Sequence, residues 1–480
     1  MSFASITPGS APAVHQLQHE QYVACDDIRT SFTVAMSAMY RNEVPLYGDL
    51  IRIVQAVNSE VLDKRPDKDA SFAETARLDL ERHGAIRLGT PYELRTVRRL
   101  FALIGLEPVG YYDLSVAGLP MHATCFRPIE ESALKKNPFR VFTTLLRPEL
   151  LQGEEARDLA ISLLTRRNIF SAELLELLDI AESQNSRLYR EQAELFIIEA
   201  MKTFSWKPVA SASESEYKKL VSEHPILADI ASFKSSHINH LTPRTLDITA
   251  SQRRMRAEGL RVKDRIEGPP PRNCPILLRQ TSFLALEERI RFLNSDGSLV
   301  EGTHRARFGE IEERGAAVTP AGRKLYDELL NAAMERYSTL GETDPAVMDD
   351  ILVDVFRAYP DDWSELRIQG LVYCTYQRTA KPTPESLPPS SSLEYLISEG
   401  FLKAEPITYE DFLPFSAAGI FQSNLRPTSQ REGIHNEKSA PDQEGFEQAL
   451  GCALLVADDL YLKEQNQSLE QCAIGAGWTV

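Results

Sequence analysis

The order strand–helix–strand–strand–strand occurs twice in this chain of 480 residues, the second pass starting roughly 155 residues after the first. In the first pass, 83–88 alternates as a strand, and Thr90-Pro91 supplies an N-cap and a first-turn proline. Residues 92–106 then carry Leu94, Val97, Leu100, Phe101 and Ile104 at helical spacing, and strands are expected at 109–114, 121–127 and 139–146. In the second pass, 237–248 reads as a strand, 251–258 as a helix closed by Gly259, and 261–266, 276–286 and 305–313 as later strands. Identity between the passes is slight, so the repeat rests on element order and on one shared motif. The order predicts an α+β fold built on two β-α-β-β-β modules with large helical insertions.

The shared motif is His-x-x-x-Arg: His83 to Arg87 in the first pass, His240 to Arg244 in the second. Side chains alternate along a strand, so His83 and Arg87 share a face, as do His240 and Arg244, roughly 13 Å apart at ~3.3 Å per residue. That separation suits a metal at one end and a substrate carboxylate toward the other. His237 is out of phase with His240 and is expected to face away. A carboxylate is available at 305–313, where Glu310 and Glu312 share a face and are not distinguished by phase. The matching strand of the first pass, 139–146, has no carboxylate. Two histidines and one glutamate are a ligand set for non-haem Fe(II), and equally for hydrolytic zinc. His122 is read as structural, and His304 as too far along the strand, roughly 20 Å, to share a metal with Glu310.

Around these modules the chain divides by composition. Residues 1–27 are rich in Pro, Ser, Ala and Gln and are expected to be mobile. A single catalytic body is expected over 28–423. It holds helical residues 28–62, module one at about 80–147 and a helical insertion at 148–206. Module two follows at about 237–315, then a helical and pocket-closing segment at 316–423. Leu195, Ile198 and Met201 mark one side of the helix expected at 188–204. Residues 424–443 read as a loose loop and 444–480 as a C-terminal helical segment.

A net charge of −16 argues against nucleic acid or an anionic membrane surface as the main partner, and leaves a small anionic substrate open to a local arginine cluster. No stretch approaches the ~18 apolar residues of a membrane span. The first basic residue is Arg29, unlike a secretory or mitochondrial presequence, and no two of the six cysteines form C-x-x-C. A cytoplasmic location is expected.

Taken together, the stretches 39–47, 83–87, 239–244, 308–310 and 415–421 (Met-Tyr-Arg-Asn-Glu-Val-Pro-Leu-Tyr, His-Gly-Ala-Ile-Arg, Asn-His-Leu-Thr-Pro-Arg, Phe-Gly-Glu and Phe-Ser-Ala-Ala-Gly-Ile-Phe) resemble the 2-oxoadipate dioxygenase/decarboxylase family. The duplicated order itself resembles the vicinal-oxygen-chelate superfamily. The resemblance implies Fe(II) held by His83, His240 and Glu310, which separates Glu310 from Glu312. It implies that Arg87 binds a substrate carboxylate and that Phe415 and Ser416 line the pocket; Arg244, in phase with His240, is a second candidate for a substrate carboxylate. It also implies a reaction: 2-oxoadipate and O2 give 2-hydroxyglutarate and CO2, a step of lysine degradation. The alternatives are another metal-dependent isomerase or lyase on this fold, or a non-catalytic carboxylate-binding protein.

Overall fold

A computed structural model describes residues 21–64, 77–293, 297–341, 344–381, 392–413 and 440–474. The architecture is α+β. Module one is β1 (Arg82–Leu88), the helix Pro91–Ala102, β2 (Glu107–Asp113), β3 (Met121–Arg127) and β4 (Arg140–Leu146). Its helix starts where the sequence signals it: the Thr90 side chain accepts from the Glu93 amide, and Pro91 occupies the first turn. The sheet runs β2-β3-β4-β1, with β1 parallel to β4 and the other pairs antiparallel. β5 (Val209–Ala210) follows later, outside this sheet.

Module two runs β6 (His240–Pro243), the helix Ile248–Ala257, β7 (Leu278–Ser282), β8 (Glu288–Leu293), β9 (Leu299–His304) and β10 (Glu310–Arg314), one strand more than the expected order. Here the expectations change, and the strand expected at 276–286 is cut to β7. The strand expected over 237–248 shrinks to four residues. Its first part is tied to a helix end, with Ser236 N and Ile238 N donating to Thr203 O and Phe204 O, and Asp247 caps a helix that has begun by Ile248. The strand expected at 261–266 is reduced to two isolated bridges, Val262 with Phe283 and Glu267 with Gln280. The strand expected at 305–313 starts only at Glu310. A Cβ on Gly309 would lie 2.1 Å from the Phe283 ring, so glycine is what lets that ring cross the backbone there. The β8–β9 hairpin, which pairs with β5, was not foreseen.

The modules meet edge to edge. β6 pairs antiparallel with β1, placing Thr242 opposite His83 and His240 opposite Ala85. On its other side β6 leads into a parallel bridge between Arg244 and Glu312, and Thr245 N donates to Glu312 O at 2.7 Å. This seam needs a bare backbone at Gly84, where a Cβ would sit 2.4 Å from Ile238 Cδ1. Tyr40, buried on the helix Cys25–Glu43, ties the seam from behind: its hydroxyl reaches Asn239 O at 3.0 Å and Phe308 O at 2.7 Å.

The main core packs that helix and Pro45–Leu62 against module one and the helix Arg190–Phe204, through Phe32, Phe101, Phe126 and Phe204. In this last helix, Leu195 and Ile198 face water and Phe196, Ala200 and Thr203 face inward. A second core lies under the helices Pro320–Leu340 and Pro345–Val355. It also takes in the hairpin of β11 (Cys374–Arg378) and β12 (Leu402–Pro406), and the helix Ala457–Ile474. None of the described helices is long and apolar enough to cross a membrane.

Candidate metal centre

Adjacent strands bring three residues into one buried cluster. Diagonal neighbours on the shared face of β1 and β6, His83 and His240, have ring centroids 5.4 Å apart at 88°. Glu310 comes from β10 on the far side of β6. His83 Nε2 lies 3.0 Å from Glu310 Oε1, and His240 Nδ1 lies 3.7 Å from the same oxygen. Thr242 Oγ1 and Gln280 Nε2 each donate to Oε1 at 3.0 Å. Glu310 Oε2 is buried and makes no hydrogen bond. One nitrogen or oxygen from each of His83, His240 and Glu310 fits within 4.8 Å of the others. Two imidazoles beside one oxygen of a buried carboxylate whose other oxygen has no donor fit a divalent cation, because a cation would satisfy that unmatched oxygen.

Glu312, which phase alone did not separate from Glu310, occupies a different position. Its Oε2 lies 3.0 Å from His83 Nδ1, on the opposite edge of the ring from Glu310. Arg140 Nη2 donates to Glu312 Oε2 at 2.5 Å and Arg314 Nε to Oε1 at 2.9 Å. A carboxylate at the back of an imidazole is where an outer partner of a metal-ligating histidine sits. Burial alone would raise the Glu312 carboxyl, but Arg140, His83 and Arg314 hold it well below the ordinary range. Burial likewise opposes ionisation of Glu310, and His240 and His83 overcome it to leave the carboxyl below its usual value. Burial pushes His240 down to about 4, against the pull of Glu310, so its ring is neutral at physiological pH and able to donate a lone pair. Phe308 stacks on His240 at 4.8 Å and Phe412 meets His83 edge-on at 4.9 Å, walling the imidazoles off from water.

Comparison with known proteins places this geometry. The profile of the 2-oxoadipate dioxygenase/decarboxylase family matches residues 32–424. Curated relatives of that description from Escherichia coli strain K12 and Pseudomonas putida are 47% and 46% identical, covering 94% of this chain and 99% and 97% of theirs. The chain belongs to the 2-oxoadipate dioxygenase/decarboxylase family. A crystal structure of the hydroxyglutarate synthase from Pseudomonas putida in complex with 2-oxoadipate superposes with a TM-score of 0.84 at 44% identity, covering 95% of this chain and 99% of that one.

Within this family member the other expected site residues are distributed as follows. Arg87, on the same face of β1 as His83, donates from Nη1 to Asp229 Oδ2 at 2.5 Å. It is also close enough to His240 to oppose its protonation, behind burial, Glu310 and His83 in effect. Arg244 Nη1 lies 3.5 Å from both oxygens of Glu81, a buried carboxylate that Arg314 also contacts at 3.2 Å. Phe415 and Ser416 lie outside the described residues.

Several contributors went unread in the sequence. Thr242 links His240 and Glu310, with Nδ1 of His240 3.0 Å from its hydroxyl. Gln280 stands opposite Glu312 in the β7–β10 register, a pairing no local pattern reveals. His237 and His304, set aside as facing away and as too distant, converge with Asp229 in a second buried cluster.

Proposed function

We propose that this chain is an Fe(II)-dependent dioxygenase/decarboxylase that converts 2-oxoadipate and O2 to 2-hydroxyglutarate and CO2, acting in the cytoplasm in lysine degradation. The observation that carries this reading is the buried His83–His240–Glu310 cluster with its unmatched Glu310 oxygen, in a chain of this family. His83, His240 and Glu310 would hold the iron. When bound, Fe(II) would supply open coordination positions and a redox-active centre through which the 2-oxo acid provides the electrons that reduce O2.

The protein's own part is positioning. Glu312 backs His83, Thr242 and Gln280 hold the Glu310 carboxylate, and Arg140 and Arg314 balance the charge of Glu312. Arg87 is assigned the substrate carboxylate, since a guanidinium matches a carboxylate in both charge and shape. Arg244 is a second, weaker assignment because Glu81 engages it. Phe415 and Ser416 are assigned to the pocket wall from the family resemblance. Phe308 and Phe412 keep water from the reacting groups.

Incubating the iron-loaded protein with 2-oxoadipate under air, with O2 uptake and product analysis, tests this reading. One O2 consumed and one 2-hydroxyglutarate and one CO2 formed per 2-oxoadipate is the expected balance. A folded, iron-loaded protein that consumes no O2 would sink it. Turnover without O2 would point to an isomerase or lyase, and binding of 2-oxoadipate without metal to a non-catalytic carboxylate binder.

A further inference from the structure

The second cluster lies beside the first, on the other side of Arg87. Asp229 is on the short helix Pro225–Ala231, His304 ends β9, and His237 precedes β6. All three are at most 4% exposed. His304 Nε2 is 2.8 Å and His237 Nε2 3.1 Å from the same oxygen, Asp229 Oδ1. The other oxygen, Oδ2, takes Arg87 Nη1. His304 Nδ1 lies 2.7 Å from the Tyr217 hydroxyl, and Trp206 stacks on His304 and abuts His237 edge-on.

Two readings compete for this set of two imidazoles and a carboxylate. As a metal site it would need both imidazoles to turn lone pairs inward. The carboxylate, however, already carries the Arg87 guanidinium, and a divalent cation there would sit against a like charge. As a hydrogen-bonded cluster it has its own logic: His304 Nε2 offers an N–H to Oδ1 and its Nδ1 accepts from Tyr217, while His237 Nε2 lies 3.1 Å from Oδ1 without a hydrogen bond there. Burial would raise the Asp229 carboxyl, but His237 and Arg87 hold it well below the ordinary range, so it stays ionised.

We propose that Asp229, itself held by His304, is the positioning residue that aims the Arg87 guanidinium at the substrate carboxylate. This rests on the assignment of Arg87 made above. Arg87 leaves β1 between the two clusters, near enough to His240 to act on its charge and bonded to Asp229. A guanidinium has two edges, so one carboxylate can anchor it while another is bound as ligand. Without the anchor, the long Arg87 side chain regains rotamers that substrate binding must then freeze.

The test is a double-mutant cycle of Arg87→Gln and Asp229→Asn in iron-loaded protein. It reads 2-oxoadipate affinity without O2, KM and kcat under air, and metal per chain. Arg87→Gln is expected to weaken 2-oxoadipate binding roughly ten- to a hundredfold, the scale of one charge-assisted hydrogen bond. Asp229→Asn should raise KM over the same range and leave kcat within about threefold. The double variant should be no worse than Arg87→Gln alone, because the anchor has nothing left to aim. Tyr217→Phe removes one hydroxyl at the edge of the cluster. It should raise KM by a smaller factor, and it serves where Asp229→Asn fails to fold. If Arg87→Gln binds 2-oxoadipate normally, the assignment of Arg87 fails and the proposal with it. If Arg87→Gln weakens binding but Asp229→Asn and Tyr217→Phe do not, only the proposal fails. Metal that persists in His83→Ala protein and is lost on His304→Gln would also overturn it, since the cluster would then be a metal site.

Discussion

Among the described residues, two buried clusters have the same composition, two imidazoles and one carboxylate, and they are wired in opposite ways. In the His83–His240–Glu310 cluster the arginines are one residue removed. Arg140 and Arg314 bind Glu312, Glu312 backs His83, and Glu310 keeps one oxygen without a hydrogen bond. In the Asp229–His237–His304 cluster the arginine is on the carboxylate itself, and both oxygens are taken. Composition therefore does not define a metal centre. The position of the compensating positive charge does: directly on the carboxylate it replaces a cation, and one residue behind it leaves a place for one.

The largest expected difference between the clusters is in metal retention. His83→Ala and Glu310→Gln should each leave less than stoichiometric metal and only background turnover, whereas His237→Gln should keep full metal content. Elemental analysis of purified variants checks this, and equal metal loss from both clusters would erase the distinction.

A smaller effect is expected at Glu312, which backs a ligand without being one. Glu312→Gln should weaken metal affinity about 10- to 100-fold, the usual range for outer partners of metal ligands. It should also destabilise the fold by on the order of 3–5 kcal/mol, because Arg140 would be left buried without its carboxylate partner, whereas Arg314 keeps Glu81 and Glu410. Metal titration followed by chemical denaturation separates the two effects.

How legible this was depends on backbone regularity. The phase argument worked where strands are regular: His83 on β1 and His240 on β6 point to one side because alternation sets side-chain direction. It left Glu310 and Glu312 tied, because both do lie on one face. They are separated by the two edges of one imidazole ring, a feature of three-dimensional register. It could not reach the second cluster. His237 sits in irregular backbone tied to a helix end, His304 ends a hairpin whose strands were not read, and Asp229 lies in a stretch without clear periodicity. Element order was readable in module one, whereas in module two the β8–β9 hairpin and the helix start at Asp247 depend on what packs against them.

The smallest effect separates cluster titration from the background. His122 lies outside both clusters, against Phe446, and burial and Arg147 push it down to about 4. A histidine held below its unfolded pKa of about 6.5 contributes stability that is complete above that value and is lost as pH falls toward 4, because the unfolded chain takes the proton first. His122→Gln should therefore flatten part of the decline in denaturation midpoint of the metal-free protein between about pH 6.5 and 4. An unchanged decline would assign all of it to other groups.

The seam between the modules also fixes an order in time. His83 and Glu310 are 227 residues apart in the chain, and the seam joining them is closed by a hydroxyl from Tyr40 near the beginning. At ~5–20 residues per second, a ribosome takes on the order of 10–50 s to make the second after the first. Through that interval module one can already pair its own strands, while its histidine has neither its opposite imidazole nor its carboxylate. The cluster cannot assemble before Glu310 is made, when about a third of the chain is still to follow. Until β6 is made the edge of β1 is open, and the cell must keep that edge from pairing with anything else.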